Sequence, residues 1–507
     1  MTNPLKIIVN PTKGQILNCP KDISDKLFDL CSYQFFNYQY SQAYIDGYWD
    51  GYVRKFSKIT KSFPAGLLFK ILSFLKKEKA EFKVVDSRRV LDWEESTIIK
   101  NINNFKFTLR PYQIDGVMAG LKFPYMVFWW ATSSGKTVLF SALISALKAK
   151  TFKKTLILVA NKDLASQHRE EIGSMLEEKI GVIEEGKFNP RQITVAVINT
   201  LWQKAIKKKD KQVLKYLSNV DHLILDECHR IIDSKMFKNT IAQCKNTIAR
   251  HGFSGSPYSL TSDDIELECL TGPPLSKVTM SQLIREGWTS RPEIFMIKFP
   301  CEKKVSGGNH HQVYSSGIVE NKIRNEIILS IVLEEYSLGN FILVLVKSIK
   351  HGIDLKKMFI KEEIFSEDFA YIHGSTNKDL RSKVREQFKK KNLKIVIASQ
   401  IWNEGIDIPA IDVLIKADGG GGSEVQEGKG IRSVIQQTGR ILRKPILDGS
   451  QDVDEKTENV VRVYDFFDDC HKDLARHSFN RLETYNLEKE FTVKLISFKD
   501  LFSGAKR

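Results

Sequence analysis

The stretch WWATSSGKT, Trp129–Thr137, decides how this chain is read. It ends in Gly135-Lys136-Thr137, as a phosphate-binding loop does. The strict pattern asks for glycine five residues before Gly135, and Trp130 stands there instead. The flanks bear on the difficulty. YMVFWW is an apolar run of strand length. SGKTVLFSALISALKAK repeats apolar residues at Val138, Leu139, Ala142, Leu143, Ala146 and Leu147, the spacing of a helix. If the strand ends at Trp130, a shorter loop opens at Ala131, and the small residues Ala131, Ser133 and Ser134 let the backbone approach a ligand closely. N–H groups in such a turn and at the helix N-terminus can surround a phosphate. Lys136 would then reach the β/γ-phosphates of a nucleotide, and Thr137 would offer its hydroxyl to Mg²⁺. The competing reading is an ordinary strand–helix turn that happens to contain GKT.

The same rhythm continues outward. From Thr108 to about 285, short apolar runs (YMVFWW, TLILVA, ITVAVI, HLILDE) alternate with longer amphipathic stretches. Runs of this kind between helical segments read as parallel strands of an α/β sheet. After Arg291 the pattern restarts with FILVLV, FAYIHG, KIVIAS, DVLIKA and VVRVYDF. Two α/β units are therefore expected in tandem. SGGNHH near 306 and GGGGSEVQEGKG at 419–430 read as loops, and His310-His311 in the first of them as exposed side chains rather than metal ligands. Residues 1–104 carry a net charge of +5 and look like a separate module. The expected division is 1–104, 105–288, 289–470 and a helical tail over 471–507.

Composition bounds the function. The 507 residues carry a formal charge of +16, with a pI of about 9.2. Such a balance suits a polyanionic partner, because each Lys or Arg set against a phosphate releases a condensed counterion; a lysine-rich solvated surface would give the same count. The seven cysteines are scattered and form no CxxC pair, which points away from a disulfide framework or a zinc site and towards a reducing compartment. MTNPLKIIVN lacks an apolar signal core, and a run such as FILVLV is far too short to span a membrane.

Two further patterns complete a nucleotide-hydrolysing set. In HLILDECHR an apolar run ends at Asp226-Glu227. An aspartate at a strand end can hold Mg²⁺, and the adjacent glutamate can orient and deprotonate a water. In SVIQQTGRILRKP, Gln436, Gly439, Arg440 and Arg443 fit QxxGRxxR. Arginine suits the charge on a transferring phosphoryl group, and on a helix Arg440 and Arg443 share a face. Taken singly, the first could be a solvated acidic turn and the second a basic helix that binds nucleic acid.

In this order the elements resemble a superfamily 2 helicase over roughly residues 105–470. LRPYQ, with Arg110 and Gln113, is similar to the adenine-reading motif, ATSSGKT to motif I, and LILVANKDLASQ to motif Ia. DECH at Asp226–His229 looks like motif II, and GFSGSP, with Ser254 and Ser256, looks like motif III. VLVKSIKHG and YIHGSTNKDLR resemble the motif IV region. IVIASQIWNEGIDIP, with Gly405 and Asp407, resembles motif V, and QQTGRILR resembles motif VI. Two departures stand out: Ser133 occupies a position where motif I usually has glycine, and DECH differs from the DEAD form of the RNA helicases.

The resemblance implies an α/β fold of two tandem RecA-like parallel-sheet domains, preceded by a small α+β domain. It implies ATP and Mg²⁺ as ligands. Arg110, Gln113, Thr132, Ser133, Ser134, Gly135, Lys136, Thr137, Gly405 and Asp407 would bind ATP, and Thr137 and Asp226 the metal. Glu227, Gln436, Arg440 and Arg443 would be catalytic, and His229, Ser254 and Ser256 would couple hydrolysis to movement. The stretch FFNYQYSQAYIDGYWDGYVRKFSKITKSFPAGLL looks like the N-terminal module of phage UvsW-type recombination and repair helicases. It mixes Tyr40, Tyr44, Tyr48, Trp49 and Tyr52 with Arg54, Lys55, Lys58 and Lys61. The aromatics could stack on bases or form the module's own core, and the cations could meet phosphates. Gln167, Thr200, Lys347 and Ser399 are further candidates for nucleic-acid contact.

The expected activity is ATP-driven unwinding or branch migration of DNA that is branched or contains single strands. It would take place in the cytoplasm (of the host cell, for a phage protein), away from membranes, with recombination or replication proteins as possible partners. An RNA helicase or RNA-stimulated ATPase, and a clamp switched by ATP without unwinding, are the alternatives.

Overall fold

The computed structural model describes residues 4–501, apart from 36, 89–93, 95, 97–99, 102–104, 148–152, 233, 258–263, 302–303, 306–307, 363, 365–366, 400–410, 421–441 and 443–459. The chain divides into two compact units, residues 1–130 with 135–278, and residues 131–134 with 279–507.

The first unit is built on an eight-stranded sheet. Its order is Lys187–Asn189, Gly181–Glu184, Ile193–Val197, Thr155–Val159, His222–Asp226, Ala249–Ser254, Tyr125–Trp130 and Pro274–Val278. All neighbours run parallel except the first pair. The four runs expected to be strands are strands, and three are buried at every position, as sheets covered on both faces require. Ala249–Ser254 escapes a reading by pattern because ARHGFS is not an apolar run, although it is buried throughout. Its Arg250 is satisfied by Thr247 Oγ1 at 2.8 Å and the Cys244 carbonyl at 2.9 Å. Its His251 lies 2.9 Å from His222 on the neighbouring strand.

Trp130 is the last residue of its strand and is fully buried, donating from Nε1 to Ser276 Oγ at 2.8 Å. Gly116 makes room for it: a Cβ there would stand 2.6 Å from the indole ring. Trp130 thus belongs to the core and not to the loop, and the loop opens at Ala131.

The N-terminal residues form a four-stranded sheet in the order Ser62–Pro64, Lys13–Leu17, Leu5–Val9, Phe82–Asp86, with helices Lys21–Leu30 and Leu68–Lys77. This is the small α+β region, but it does not stand apart. Its core of Leu5, Ile7, Leu27, Phe63 and Ile71 is continuous with Tyr125, Ile265 and Cys269 of the following region. Gly66 packs so closely on helix Ile265–Thr271 that a Cβ would meet the Glu268 carbonyl oxygen at 2.1 Å.

The second unit holds a seven-stranded, wholly parallel sheet. Its order is Phe369–Ile372, Ile395–Ser399, Ile342–Val346, Val413–Lys416, Val460–Phe467, Arg291–Lys298 and Thr492–Ser497. All five expected strands are present. The tail read as helical is helical over Lys472–Asn486 and again over Phe498–Leu501, but between them Thr492–Ser497 joins the sheet edge beside Arg291–Lys298. Its partner strand, Arg291–Lys298, lies far earlier in the chain, so no local pattern assigns it to the sheet.

A second expectation also changes. The scattered cysteines pointed away from disulfides, yet Cys301 and Cys470 are joined, 169 residues apart. The register explains it. Lys298 pairs with Phe467 on neighbouring parallel strands, and each cysteine lies three residues further on. Among the described residues no helix is long and apolar enough to cross a membrane.

Candidate nucleotide site

In a parallel sheet the loops after the strands gather along one rim, where ligands of α/β proteins bind. The strand order of the first sheet puts three predicted motifs side by side there. Asp226 is paired with Phe253, which is paired with Phe128, and Ser254 is paired with Trp129. The acidic pair, the GFSGSP turn and the GKT helix therefore leave adjacent strands at nearly one level.

The loop has the backbone a phosphate site needs. Ser133 at φ 67° and Gly135 at φ 78° are both left-handed. Ser133 adopts without glycine the conformation that glycine favours, which answers the departure from the usual motif I. Ser134 N donates to the Ala131 carbonyl at 3.3 Å, and Leu139 N donates to that of Gly135 at 2.9 Å, so the helix begins at once. A Cβ on Gly135 would lie 2.5 Å from Gln113 Nε2. Gln113 is buried, and its Oε1 accepts from Arg110 N at 3.0 Å. Arg110 in turn donates from its guanidinium to Tyr112 Oη at 2.8 Å. LRPYQ is thus seated directly against the loop. The Lys136 ammonium lies 3.4 Å from the Trp130 carbonyl across the loop, and Thr137 occupies the first turn of helix Lys136–Leu147.

Glu227 follows the strand at φ 48°, a costly conformation for a residue with a side chain. His229 Nδ1 stands 3.3 Å from Glu227 Oε2 and 2.9 Å from Ser254 Oγ, and Ser254 Oγ also accepts from Ser256 N at 3.1 Å. The three residues expected to couple hydrolysis to movement are thus in one chain of contacts with the expected base. Burial pushes the Cys228 thiol well up; Glu227 and Asp226 push the same way, while Lys136 acts in the opposite sense. This donor set fits a nucleotide with its metal: a loop that a Cβ would obstruct, a cation, a hydroxyl and two carboxylates.

Sequence reasoning missed His168. It lies on helix Lys162–Leu176, is buried, and its Nε2 is 2.9 Å from Asp226 Oδ2. Burial alone would lower its pKa, but the Asp226 hydrogen bond and charge outweigh burial and raise it. A signal existed, since Leu164, His168 and Ile172 share one helical face, and a histidine on an apolar face needs a partner.

Residues 106–259 match the family described as "Type III restriction enzyme, res subunit", and residues 323–445 match "Helicase conserved C-terminal domain". Together they cover more than half of the chain. The chain belongs to the superfamily 2 helicases. Members of this superfamily couple ATP hydrolysis to work on nucleic acid, and the two RecA-like sheets are its motor fold. Among relatives, this helicase is 26% identical over 349 residues to "Putative DNA 3'-5' helicase Rad25" of Haloarcula marismortui, covering 67% of this chain and 51% of that one. It is 23% identical over 413 residues to "DNA 3'-5' translocase XPB2" of Sulfurisphaera tokodaii, covering 73% and 84%. Among solved structures it is similar to T4 UvsW, with a TM-score of 0.48 and 18% identity, over 98% of this chain and 100% of that one. The chain spans about half the length of several of the curated relatives it matches.

The remaining predicted residues are dispersed. Gly405, Asp407, Gln436, Arg440 and Arg443 lie outside the described residues. The N-terminal cations are engaged within the protein. Arg54 pairs with Asp50, Lys58 Nζ lies 2.7 Å from Asp25, and Lys61 Nζ donates to Ser24 Oγ at 2.7 Å. Lys55 is 2.6 Å from Glu266, a buried carboxylate that also accepts from Tyr33 Oη at 2.6 Å. Lys55 thus fastens the N-terminal region to helix Ile265–Thr271. Tyr40 and Tyr48 are 77% and 87% exposed, which excludes them from the core; Tyr44 and Tyr52 are also exposed. Gln167 is half-buried and donates to Glu171 at 2.7 Å. Thr200 lies on helix Ile198–Trp202, Lys347 is exposed beyond Ile342–Val346, and Ser399 ends its strand in a buried position. His310 and His311 are exposed.

Proposed function

We propose that this protein is an ATP-dependent DNA helicase or translocase that unwinds or branch-migrates DNA containing branches or single strands. The observation that carries the reading is the rim of the first sheet, where the strands leading to the Lys136 loop, to Asp226-Glu227 and to Ser254 are neighbours in register, and His229 links Glu227 to Ser254. In this reading Gln113 and Arg110 hold the base of ATP. The loop N–H groups and Lys136 hold its phosphates, and Thr137 and Asp226 hold Mg²⁺. The metal would neutralise charge on the transferring phosphoryl group. Glu227 takes the proton of the attacking water, with its carboxylate held by His229. The contact from His229 to Ser254 carries the state of the site to the neighbouring strand.

DNA rather than RNA is favoured by the names of the relatives, and the charge of +16 suits a polyanionic partner of either kind. The surviving candidates for DNA contact in the N-terminal region are Arg54 and Lys58, whose partners Asp50 and Asp25 are exposed enough to exchange for phosphates, whereas Lys61 is tied to the buried Ser24. Recombination or replication proteins would be its partners in the cytoplasm.

The test is ATP hydrolysis without nucleic acid and with single-stranded DNA, a synthetic four-way DNA junction or a structured RNA. Stimulation by DNA, greatest with the junction, is expected. Stimulation by RNA alone would replace this reading with an RNA-stimulated ATPase, and no turnover under any condition would favour a clamp.

A further inference from the structure

His168 joins four parts of the motor. It is on the helix that follows strand Thr155–Val159. Its ring packs edge-on against Phe140 of helix Lys136–Leu147, with centroids 5.4 Å apart. Phe140 in turn packs on Phe253 of the strand that ends at Ser254. The polar edge of the ring meets Asp226 Oδ2 at 2.9 Å, and both side chains are at least nine-tenths buried. Nδ1 is also buried and has no hydrogen-bond partner among the described residues. The ring is therefore directed by one polar contact, to Asp226, and by packing on Phe140.

We propose that His168 is a positioning residue for Asp226, occupying Oδ2 so that Oδ1 is presented to the metal of the bound nucleotide. The inference rests on the reading of Asp226 as the metal carboxylate. A carboxylate with both oxygens free can rotate about its terminal bond. Pinning one oxygen from a packed ring removes that freedom before the metal arrives, and groups that orient metal ligands are worth roughly 10–100-fold in metal affinity. A ring that served packing alone would need no donor, and an apolar side chain of similar size would replace it.

Two variants separate these roles. His168→Leu keeps bulk against Phe140 and removes the donor, whereas His168→Gln can return an N–H to Asp226. Binding of a fluorescent ADP analogue would be measured across a Mg²⁺ titration in the full-length protein. We expect His168→Leu to raise the Mg²⁺ midpoint roughly 10–100-fold, with binding in EDTA unchanged and His168→Gln near the parent. A parent-like midpoint in His168→Leu would overturn the proposal, and so would an equal shift in both variants, which would point to packing. Asp226→Asn in the same titration tests the reading beneath it. If that variant leaves the midpoint unchanged, the assignment of Asp226 has failed, and the role of His168 with it.

Discussion

Gly135 and Glu227 show how far single residues constrain this site. Gly135 combines a left-handed φ with a Cβ position that falls on the Gln113 amide, so two independent obstacles bar a side chain there. Glu227 holds a left-handed conformation without being glycine, and its side chain meets His229. Lys136→Ala should lower ATP turnover by at least ~100-fold while DNA binding stays near the parent level; turnover and a DNA-binding isotherm on one preparation check this. Glu227→Gln should keep ATP binding and lose about 10²–10⁴-fold in turnover, to be read by pairing nucleotide binding with single-turnover hydrolysis. Lys136, Asp226 and Glu227 could be singled out as candidates from the sequence because short motifs carry them. For His168 the apolar helical face signalled only that it needs a partner, and nothing local says that this face turns towards Asp226.

At the scale of elements, the largest difference from the sequence reading is the tail. Helix Lys472–Asn486 supplies Arg481, which is fully buried. It donates to Asp465 at 3.0 Å and to the Gly420 and Phe466 carbonyls at 2.7 Å each. Arg324 similarly donates to Asp468 at 2.8 Å. Breaking a buried pair leaves a charge uncompensated, so Arg481→Ala should destabilise the protein by about 3–5 kcal/mol, measured by denaturant unfolding. Strand Thr492–Ser497 buries Phe491 at its start and packs Ile496 and Phe498 on the second core. Removing residues 491–507 should cost about 2–4 kcal/mol from the lost apolar burial and lower the melting temperature. Neither feature follows from a polar helical pattern, since the partners of Arg481 lie on another element, strand Val460–Phe467, and at the Gly420 carbonyl.

For the whole molecule, buried neutral histidines contribute to the response to acid. Burial pushes His351 down to about 3 and His251 down to about 4. Burial also holds His222 well below its ordinary value, and the His251 charge acts in the same direction. Below about pH 6.5 the unfolded chain takes up protons that the folded chain refuses, so stability falls with acid. Above that pH both states are neutral and the effect vanishes. Each such group contributes about 1.4 kcal/mol per pH unit until its folded pKa is reached. His351→Gln keeps a donor for Asn325 Oδ1, which the ring now meets at 2.9 Å, and removes one of these protons. Its melting temperature should therefore fall less steeply than the parent's between pH 6 and 4, with the two curves parallel above pH 7.

The sequence by itself determined the two parallel-sheet units, because buried parallel strands read as continuous apolar runs. It singled out the candidate nucleotide loop and acidic pair, because phosphate and metal chemistry uses a few residue types at short spacing. Tertiary structure alone decided the rest. It set Trp130 in the core and joined the N-terminal sheet to the rest of the first unit through Lys55 and Gly66. It brought Cys301 to Cys470 and His168 to Asp226. Each of these depends on strand order and register, which join residues far apart in the chain, and no local pattern encodes which strands become neighbours.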